Sequence, residues 1–301
     1  MSRVVVIGDV MLDRYIFGVV SRVSPEAPVP ILNFSYGKDF LGGAANVSFV
    51  LSQIDCDSTL FGVVGTDEAS TRLFKVLNEH KNIEPRIYLS EDRMTTTKIR
   101  FISMNQQLLR VDKETDEAVN SDIKNFVLES LRILNYDVVI LSDYAKGMLS
   151  GDFCKDVISI CKMKEIPVVV DPKGDDWEKY KGVDVITPNL KELELGVGKK
   201  DIREACNILL DEYDIRTILV TLGDRGLFLN GVYIPIEKLD FSMKSVIGCG
   251  DVITAIFSYC KFILKFSDEK SAEIANEMAA RSTSEFYSYI SKDVLLKLSG
   301  E

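Results

Sequence analysis

The sequence contains a single histidine, His80, among its 301 residues. It falls near the predicted end of a helix, where a basic side chain complements the helix dipole. A catalytic triad built on histidine, or a metal site with several histidines, would depend on this one residue. The sequence therefore argues against both and leaves acid–base chemistry to carboxylates.

Long apolar runs, paired cysteines and excess positive charge are also missing. The six cysteines form no CxxC pair, no run is long enough to span a bilayer, and no secretory leader precedes the first strand pattern. These features predict reduced thiols in a cytoplasmic protein. A net charge of −10 argues against nucleic-acid or membrane partners. A phosphorylated ligand would need a local cluster of basic residues.

Short apolar runs alternate with helical patterns along most of the chain. This order predicts an α/β fold around a mainly parallel sheet, and the length predicts one domain spanning 1–301. Strands are expected at 4–7, 59–64, 137–141, 168–170, 183–186 and 217–220. Helices are expected at about 44–54, 67–80, 120–134, 150–164 and 201–213.

Two regions, about 14–40 and 86–112, interrupt this alternation. They contain short alternating segments without helices, at 15–20, 29–34, 87–89, 95–103 and 108–111. We expect these segments to form a small antiparallel sheet that acts as a lid and excludes water from the cleft. Exposed apolar residues on such a lid would suit a homodimer contact.

Two glycines precede an aspartate in Gly248-Cys249-Gly250-Asp251, where an amphipathic helix is predicted to begin. Glycines let backbone amides converge on an anion, and the helix N-terminus adds partial positive charge. A carboxylate at this point can take the proton of a hydroxyl that attacks a phosphate. Taken alone, the motif fits equally a turn with an N-capping aspartate.

Three further segments accompany this motif, namely Gly42-Gly43-Ala44-Ala45-Asn46, Asn189-Leu190-Lys191-Glu192 and Thr221-Leu222-Gly223-Asp224-Arg225-Gly226. In order and spacing, the four segments resemble the signatures of the ribokinase/phosphofructokinase-B family of sugar kinases, over nearly the whole chain. The resemblance implies a ribokinase-like three-layer α/β/α core with a small β-sheet lid. It also implies phosphoryl transfer from ATP, with Mg²⁺, to a sugar hydroxyl.

Segments 8–15, 24–30, 141–147 and 171–174 narrow the resemblance. They are similar to bacterial kinases that phosphorylate the anomeric O1 of D-glycero-D-manno-heptose 7-phosphate on the route to ADP-heptose and lipopolysaccharide. The expected partner is thus a small sugar phosphate. Two alternatives stay open: a kinase of the same fold for another sugar, sugar phosphate or nucleoside, and a sugar-phosphate-binding protein that has lost catalysis.

The resemblance also assigns roles around the phosphoryl group. Asp251 would be the base, and the amides of Gly248, Cys249 and Gly250 would form the anion hole. Asn189 and Glu192 would position Mg²⁺ through water, although Asn followed by Glu at this spacing is also a capping box. The nucleotide would lie against Thr221, Gly223, Arg225 and Gly226, for which a plain hairpin turn is the alternative.

The substrate is assigned to residues that follow core strands or lie on the lid. The expected sugar contacts are Asp9, Asp13, Gly42, Gly43, Asn46, Gln107 and Asp143, although Gln107 fits a lid turn as well. The basic residues expected to hold the substrate phosphate are Lys98, Arg100, Arg110, Lys146 and Lys173. Each basic residue taken singly fits a solvated surface charge, so the prediction rests on the cluster.

Two departures from the family pattern lie just before the base. Ser245 and Ile247 stand where family members usually carry aspartate and threonine, which puts a response to potassium in doubt. Cys249 replaces the more usual alanine. Its position at a helix N-terminus predicts a thiol of lowered pKa, with simple burial of the side chain as the alternative.

Overall fold

The computed structural model describes residues 3–236, 245–284 and 287–300. Its strands are β1 (Arg3–Gly8), β2 (Val10–Val23), β3 (Pro30–Gly43), β4 (Asp57–Gly65), β5 (Ile83–Ser90), β6 (Thr96–Ser103), β7 (Gln106–Lys113), β8 (Val138–Ser142), β9 (Val168–Asp171), β10 (Val185–Ile186), β11 (Thr217–Thr221), β12 (Leu227–Leu229) and β13 (Val232–Ile234). Its helices are α1 (Ala44–Gln53), α2 (Glu68–Leu77), α3 (Ser121–Ile133), α4 (Gly151–Met163), α5 (Leu190–Val197), α6 (Ile202–Asp211), α7 (Cys249–Ser258), α8 (Asp268–Ser282) and α9 (Lys292–Ser299).

The larger sheet runs in the order β13-β12-β11-β10-β9-β8-β1-β4-β5. The strands from β11 to β5 pair in parallel, and β12 and β13 extend the sheet in antiparallel fashion. Parallel strands are buried on both faces, which explains why β1 reads as a continuous apolar run. The predicted mainly parallel sheet is confirmed.

Helices cover both faces of this sheet, so the core has three layers. Alternate residues of β1 point to opposite faces: Val4 and Val6 pack with α1, α2, α7, α8 and α9, whereas Val5 and Ile7 pack with α3, α4, α5 and α6. Among the helices in the described ranges, none combines the length and the apolar character that crossing a membrane requires.

The smaller sheet has the order β3-β2-β6-β7. It differs from the prediction in two respects. β2 and β6 pair in parallel, so the sheet is mixed rather than antiparallel. In addition, Ile87–Leu89 belongs to β5, which pairs in parallel with β4 at the edge of the larger sheet. An edge strand is exposed along one side, so its pattern alternates as a lid strand would.

The carboxyl ends of β1, β8, β9 and β10 meet at one edge of the larger sheet, where ligands of such sheets bind. β2 and β3 leave the same edge to form the smaller sheet, and α1 begins directly after β3. The N-terminus of α7 contributes Asp251 to this edge, since Asp251 hydrogen-bonds to Asn46 of α1 and to Tyr144 after β8.

Candidate active site

Asp251 lies buried in the first turn of α7 and is only 3% exposed. Its Oδ1 accepts a hydrogen bond from the Tyr144 hydroxyl at 2.7 Å, and its Oδ2 accepts one from Asn46 Nδ2 at 2.6 Å. Burial raises the pKa of Asp251 to about 6, while the bonds from Asn46 and Tyr144 oppose that rise. A carboxylate with a pKa near neutrality suits general-base chemistry.

The glycines before Asp251 have separate geometric reasons. Gly248 has φ 79°, and a Cβ there would lie 2.0 Å from Ser288 Oγ and 2.7 Å from Asn46 Nδ2. At Gly250 no heavy atom of the described residues lies within 4 Å of the position a Cβ would take. The first amides of a helix have no intrahelical partner, and no side chain in the described ranges caps α7. The site thus offers backbone donors beside open space, as an anion cradle requires.

Cys249 contributes less to this cradle than expected. Its amide donates a long hydrogen bond, 3.4 Å, to Val246 O. The prediction of a lowered thiol pKa is wrong, because burial raises the pKa of Cys249. Its Sγ lies 3.8 Å from both Ala279 O and Ser282 Oγ.

Asn46 links three parts of the chain at the base of the cleft. Its Nδ2 donates to Asp251 and, at 3.2 Å, to Ser288 Oγ. Its Oδ1 is buried and has no hydrogen-bond partner among the described residues. Gly43 directly precedes α1. Its φ is 57°, and a Cβ there would lie 2.3 Å from Asp9 O, so this helix start requires glycine. Asn46 therefore presents an acceptor to a ligand next to the candidate base.

Asp13 and Arg100 form a buried ion pair beside Asp251. The Asp13 Oδ1 and Arg100 Nη1 atoms are 2.5 Å apart, and the guanidinium lies 5.1 Å from the centre of the Tyr15 ring. Gly42 permits this arrangement, because a Cβ there would lie 2.7 Å from Asp13 Oδ2. The structure thus brings three predicted substrate residues together.

Three other predicted cations surround two carboxylates on the same face of the smaller sheet. Lys98, which lies opposite Asp13 in the register of β2 and β6, is 3.7 Å from both Asp112 and Glu114. Arg110 bonds to Asp112 at 2.8 Å, and Lys146 bonds to Glu114 at 2.8 Å. We call Lys98, Arg110 and Lys146 the lid cations.

Gln107 is not brought to the cleft. It is exposed on β7 and pairs with Ile102, four residues beyond Lys98 on β6. That separation corresponds to about 13 Å along the strand. A sugar contact from Gln107 is therefore not supported.

Two predicted sugar ligands serve the protein itself. Asp9 accepts hydrogen bonds from the backbone N–H groups of Tyr144, Lys146 and Met148, at 2.8 to 3.0 Å. Asp143 accepts from Lys179 Nζ and from the Tyr180 hydroxyl, both at 2.6 Å. Both carboxylates are buried, because each satisfies nearby donors of the chain. Asp143 also lines a cavity together with Gly250, so the assignment of Asp9 and Asp143 to the sugar stays a prediction.

A cavity of about 140 Å³ opens between Gly250 and the N-terminus of α5. Asn189 caps that helix: its side chain accepts from Glu192 N at 3.0 Å, and its own N–H donates to Glu192 Oε2 at 2.9 Å. Asn189 and Glu192 thus form the capping box that the sequence offered as the alternative to Mg²⁺ binding. Lys173 Nζ bonds to Glu192 Oε1 at 2.7 Å, so Lys173 lies at this cavity. The sequence grouped Lys173 with the lid cations, but it lies apart from them.

Asp171 and Thr221 also line this cavity. Burial, followed by the charges of Asp251 and Glu192, raises the pKa of Asp171 well above its ordinary value. No group of three or more acidic, histidine or cysteine residues suited to direct metal ligation occurs in the described chain. The oxygen atoms present fit a hard cation that keeps most of its water, as Mg²⁺ does.

The remaining predicted nucleotide residues differ in their surroundings. Gly223 has φ 64° and open space at its Cβ position, and Arg225 is exposed next to it. At Gly226, with φ 93°, a Cβ would lie 2.1 Å from Ile234 O, so packing against β13 explains this glycine.

No pattern in the sequence marks Tyr144, Ser288 or Lys179 as a site residue. Tyr144 occurs in a recognised segment, but only its contact with Asp251 marks it out. Ser288 is 242 residues from Asn46, and no local pattern connects the two. Lys179 lies in a short 3₁₀ turn, and its sequence context does not distinguish it from lysines at the surface.

Comparisons with known proteins agree with this architecture. Bifunctional protein HldE of Sulfurimonas denitrificans is 36% identical over 285 residues, covering 91% of this chain and 59% of that protein. The chain thus spans about three fifths of that relative's length. D-beta-D-heptose 7-phosphate kinase of Bordetella bronchiseptica is 37% identical over 270 residues, covering 87% of this chain and 85% of that one.

The fold also matches a solved structure, phosphofructokinase-2 of Escherichia coli in complex with substrates and products. The TM-score is 0.83 at 17% identity, with 100% of this chain and 99% of that chain covered. This match confirms the predicted α/β/α fold with its smaller sheet. The model of the pfkB family carbohydrate kinases matches residues 1–294, and the chain therefore belongs to that family.

Proposed function

We propose that this protein is an ATP-dependent kinase that converts D-glycero-D-manno-heptose 7-phosphate to the 1,7-bisphosphate, with Asp251 as the base. The observation that carries the proposal is the buried Asp251 carboxylate at the N-terminus of α7, next to the amide of Gly250 and its open space. The relatives named for HldE and for heptose 7-phosphate kinase, at 36% and 37% identity, support the choice of sugar.

The chemistry follows from the positions of these groups. The anomeric O1–H of the sugar donates its proton to Asp251 as O1 attacks the γ-phosphorus of ATP. The bond from that phosphorus to the β,γ-bridging oxygen breaks, and ADP leaves. The α7 amides stabilise the charge that spreads over the oxygens of the transferred group. Asn46 Oδ1, a buried acceptor with no partner in the described part of the chain, would accept a hydrogen bond from a second sugar hydroxyl.

The nucleotide would occupy the side of the cleft formed by Asn189, Thr221 and Gly223. Glu192 and Asp171 would hold the water shell of Mg²⁺, which neutralises the triphosphate charge when bound. Lys173 is available to the phosphate chain, since its partner Glu192 is at the same cavity. Gly226 remains a packing position.

The lid cations are proposed to bind the 7-phosphate together with Arg100. Changing Lys98 to methionine should raise KM for the heptose 7-phosphate by about tenfold to a hundredfold, because a hydrogen bond to a charged group is lost. We expect kcat to change little. Steady-state kinetics with the phosphorylated and the unphosphorylated heptose would measure this difference.

Lys113 provides the matched control for that variant. It is adjacent to Asp112 on β7, and successive strand residues point to opposite faces, so Lys113 faces away from Lys98. The Lys113→Met enzyme should retain the wild-type KM. A KM that rises equally for both sugars, or equally in both variants, would argue against phosphate binding by the lid cations.

The pKa of Asp251 predicts how turnover depends on pH. Only the ionised carboxylate accepts a proton, so kcat should fall about tenfold per pH unit below the pKa of about 6 and level off above it. The measurement is kcat at saturating ATP and sugar from pH 5 to 8.5, with circular dichroism to establish folding throughout. A plateau reaching down to pH 5 would contradict Asp251 as the base.

The proposed activity is tested by ATP consumption with Mg²⁺ against heptose 7-phosphate, fructose 6-phosphate, ribose, fructose and adenosine. Turnover confined to the heptose phosphate, with a 1,7-bisphosphate product, is the expected result. Turnover on another compound would retain the kinase and reject the sugar. Sugar binding without any turnover would favour the binding-protein alternative.

A homodimer through the smaller sheet remains part of the proposal, as does a cytoplasmic role in ADP-heptose and lipopolysaccharide synthesis. The dimer is supported by exposed apolar side chains on that sheet, among them Val19, Phe34 and Leu109. Sedimentation of the wild type against a Phe34→Ser variant would measure it.

A further inference from the structure

We propose that Tyr144 is a positioning residue for the reaction: its hydroxyl holds the Asp251 carboxylate in one orientation and in its ionised form. This inference rests on the function proposed for Asp251. It adds a side chain that none of the four family signatures contains. Tyr144 acts through Asp251 and is not itself a proton acceptor.

The geometry fixes the plane of the Asp251 carboxylate. Tyr144 donates to Oδ1 at 2.7 Å and Asn46 donates to Oδ2 at 2.6 Å, so each oxygen has one side-chain donor among the residues that the structure describes. Each carboxylate oxygen has room for about two hydrogen bonds. One acceptor position per oxygen is therefore left for a substrate hydroxyl, while rotation of the carboxylate is prevented from both sides.

Hydrogen bonds to two aspartates hold the loop that carries Tyr144. Asp9 bonds the N–H groups of Tyr144, Lys146 and Met148, and Asp143 bonds the N–H of Ala145 at 2.7 Å. Ala145 has φ 55°, a left-handed conformation that side chains other than glycine rarely adopt. The buried carboxylates of Asp9 and Asp143 thus fix this unusual turn, and the Tyr144 hydroxyl extends from it to Asp251.

The loop is also closed on its outer side. Gly147 has φ 91°, and a Cβ there would lie 1.9 Å from Glu117 O. Arg93 Nη2 donates to Lys146 O at 2.6 Å. Tyr144 is therefore placed by the protein before any substrate arrives, which is what preorganisation of a base requires.

The charges around Asp251 make its ionisation sensitive to this donor. Among the described residues, the Asp13 charge from β2 raises the pKa of Asp251, and Asp171 from β9, Tyr287 and Cys249 also interact with it. Burial, with the Asp251 charge, raises the pKa of Tyr144 well above its ordinary value, so the hydroxyl stays protonated and donates. Burial and the Asp13 charge both raise the pKa of Asp251. Removing the Tyr144 hydroxyl would take away one of the two hydrogen bonds that oppose this rise.

The test is Tyr144→Phe, which removes only the hydroxyl. We expect the acid limb of kcat to move up by about one pH unit, so that kcat falls by roughly fivefold at pH 6 and by roughly tenfold at pH 5. KM for the sugar phosphate should change by less than about twofold, because Tyr144 acts on the base and not on the bound sugar.

Tyr136→Phe is the matched control. The Tyr136 hydroxyl is also buried and donates to Leu131 O at 3.1 Å, and Tyr136 precedes β8 whereas Tyr144 follows it. Its loss removes a buried hydrogen bond without touching Asp251, Asp143 or the 144–148 loop. The acid limb of this variant should coincide with that of the wild type, and thermal melts would establish that both variants fold.

A titration of the Asp251 carboxyl by carbon-13 NMR, identified by its absence in Asp251→Asn, makes the test independent of turnover. An upward shift in Tyr144→Phe alone supports the proposal, even if the wild type phosphorylates none of the sugars and the proposed function fails. An unshifted carboxyl and acid limb would overturn it. An equal shift in Tyr136→Phe would overturn it as well, because the effect would then be general to buried hydroxyls.

Discussion

Replacing Asp251 with asparagine should lower kcat by about 10²–10⁴, the range expected for the loss of a positioned base. The amide keeps the size of the carboxylate and still accepts from Tyr144 or Asn46, so the cleft should retain its shape. KM for the sugar phosphate should stay within a few-fold of the wild type. Steady-state kinetics at pH 7.5, above the pKa of about 6, would measure the change.

Stability provides an internal check on this variant. The folded pKa of Asp251, about 6, lies above the ordinary value of 3.8, so ionisation destabilises the folded state as pH rises between these two values. At pH 7.5 the neutral amide removes that cost. The Tm of Asp251→Asn should therefore equal or exceed that of the wild type.

The control for the same chemical change is Asp201→Asn. Asp201 also begins a helix, capping α6 through a bond to Arg203 N at 2.9 Å, but it is exposed. Asparagine is as good a cap as aspartate, so both kcat and Tm should be unchanged. If Asp251→Asn keeps more than a tenth of normal kcat, Asp251 is not the base.

Gly248→Ala should lower kcat/KM by about a hundredfold or more. A Cβ at this position meets Ser288 Oγ at 2.0 Å and Asn46 Nδ2 at 2.7 Å, and φ 79° is unfavourable for alanine. Relief of these contacts displaces Asn46 and the first turn of α7, which hold and carry Asp251. Displacements of about 1 Å at a catalytic site cost on the order of a hundredfold in rate.

Gly198→Ala separates this displacement from backbone strain. Gly198 ends α5 with φ 84°, and no heavy atom lies within 4 Å of its Cβ position. We expect it to lose stability, by about 1–2 kcal/mol, without loss of kcat. Equal losses of activity in the two variants, at matched loss of Tm, would refute the contact argument for Gly248.

Local patterns in the sequence were sufficient for most of the architecture. The five helices expected from periodicity lie within one or two residues of α1, α2, α3, α4 and α6, apart from slightly longer predicted C-termini. Continuous apolar runs identified the buried parallel strands, because burial on both faces removes alternation. The same rule failed at β5, since an edge strand is open on one side and alternates like a lid strand.

For the site, the sequence identified the groups that are set by a local turn. Gly248, Gly250 and Asp251 belong to one helix N-terminus, so their spacing predicts either an anion cradle with a base or a turn with a capping aspartate, and the structure places all three at the N-terminus of α7. Asp13 and Arg100 were also foreseen as site residues. Their pairing across β2 and β6 was not foreseen, because the register between distant strands cannot be read from either one.

By itself, then, the sequence determined the α/β fold, the position of the candidate base and the signatures of the kinase family. Only the tertiary structure decided which donors each carboxylate binds: Asp13 pairs with Arg100 across two strands, whereas Asp9 and Asp143 bind other groups of the chain. Asp9 and Asp143 look like Asp13 in sequence, each being an aspartate near the end of a core strand or just beyond it. They differ because the 144–148 loop and Lys179 fold onto them, and a buried carboxylate accepts from the nearest donors.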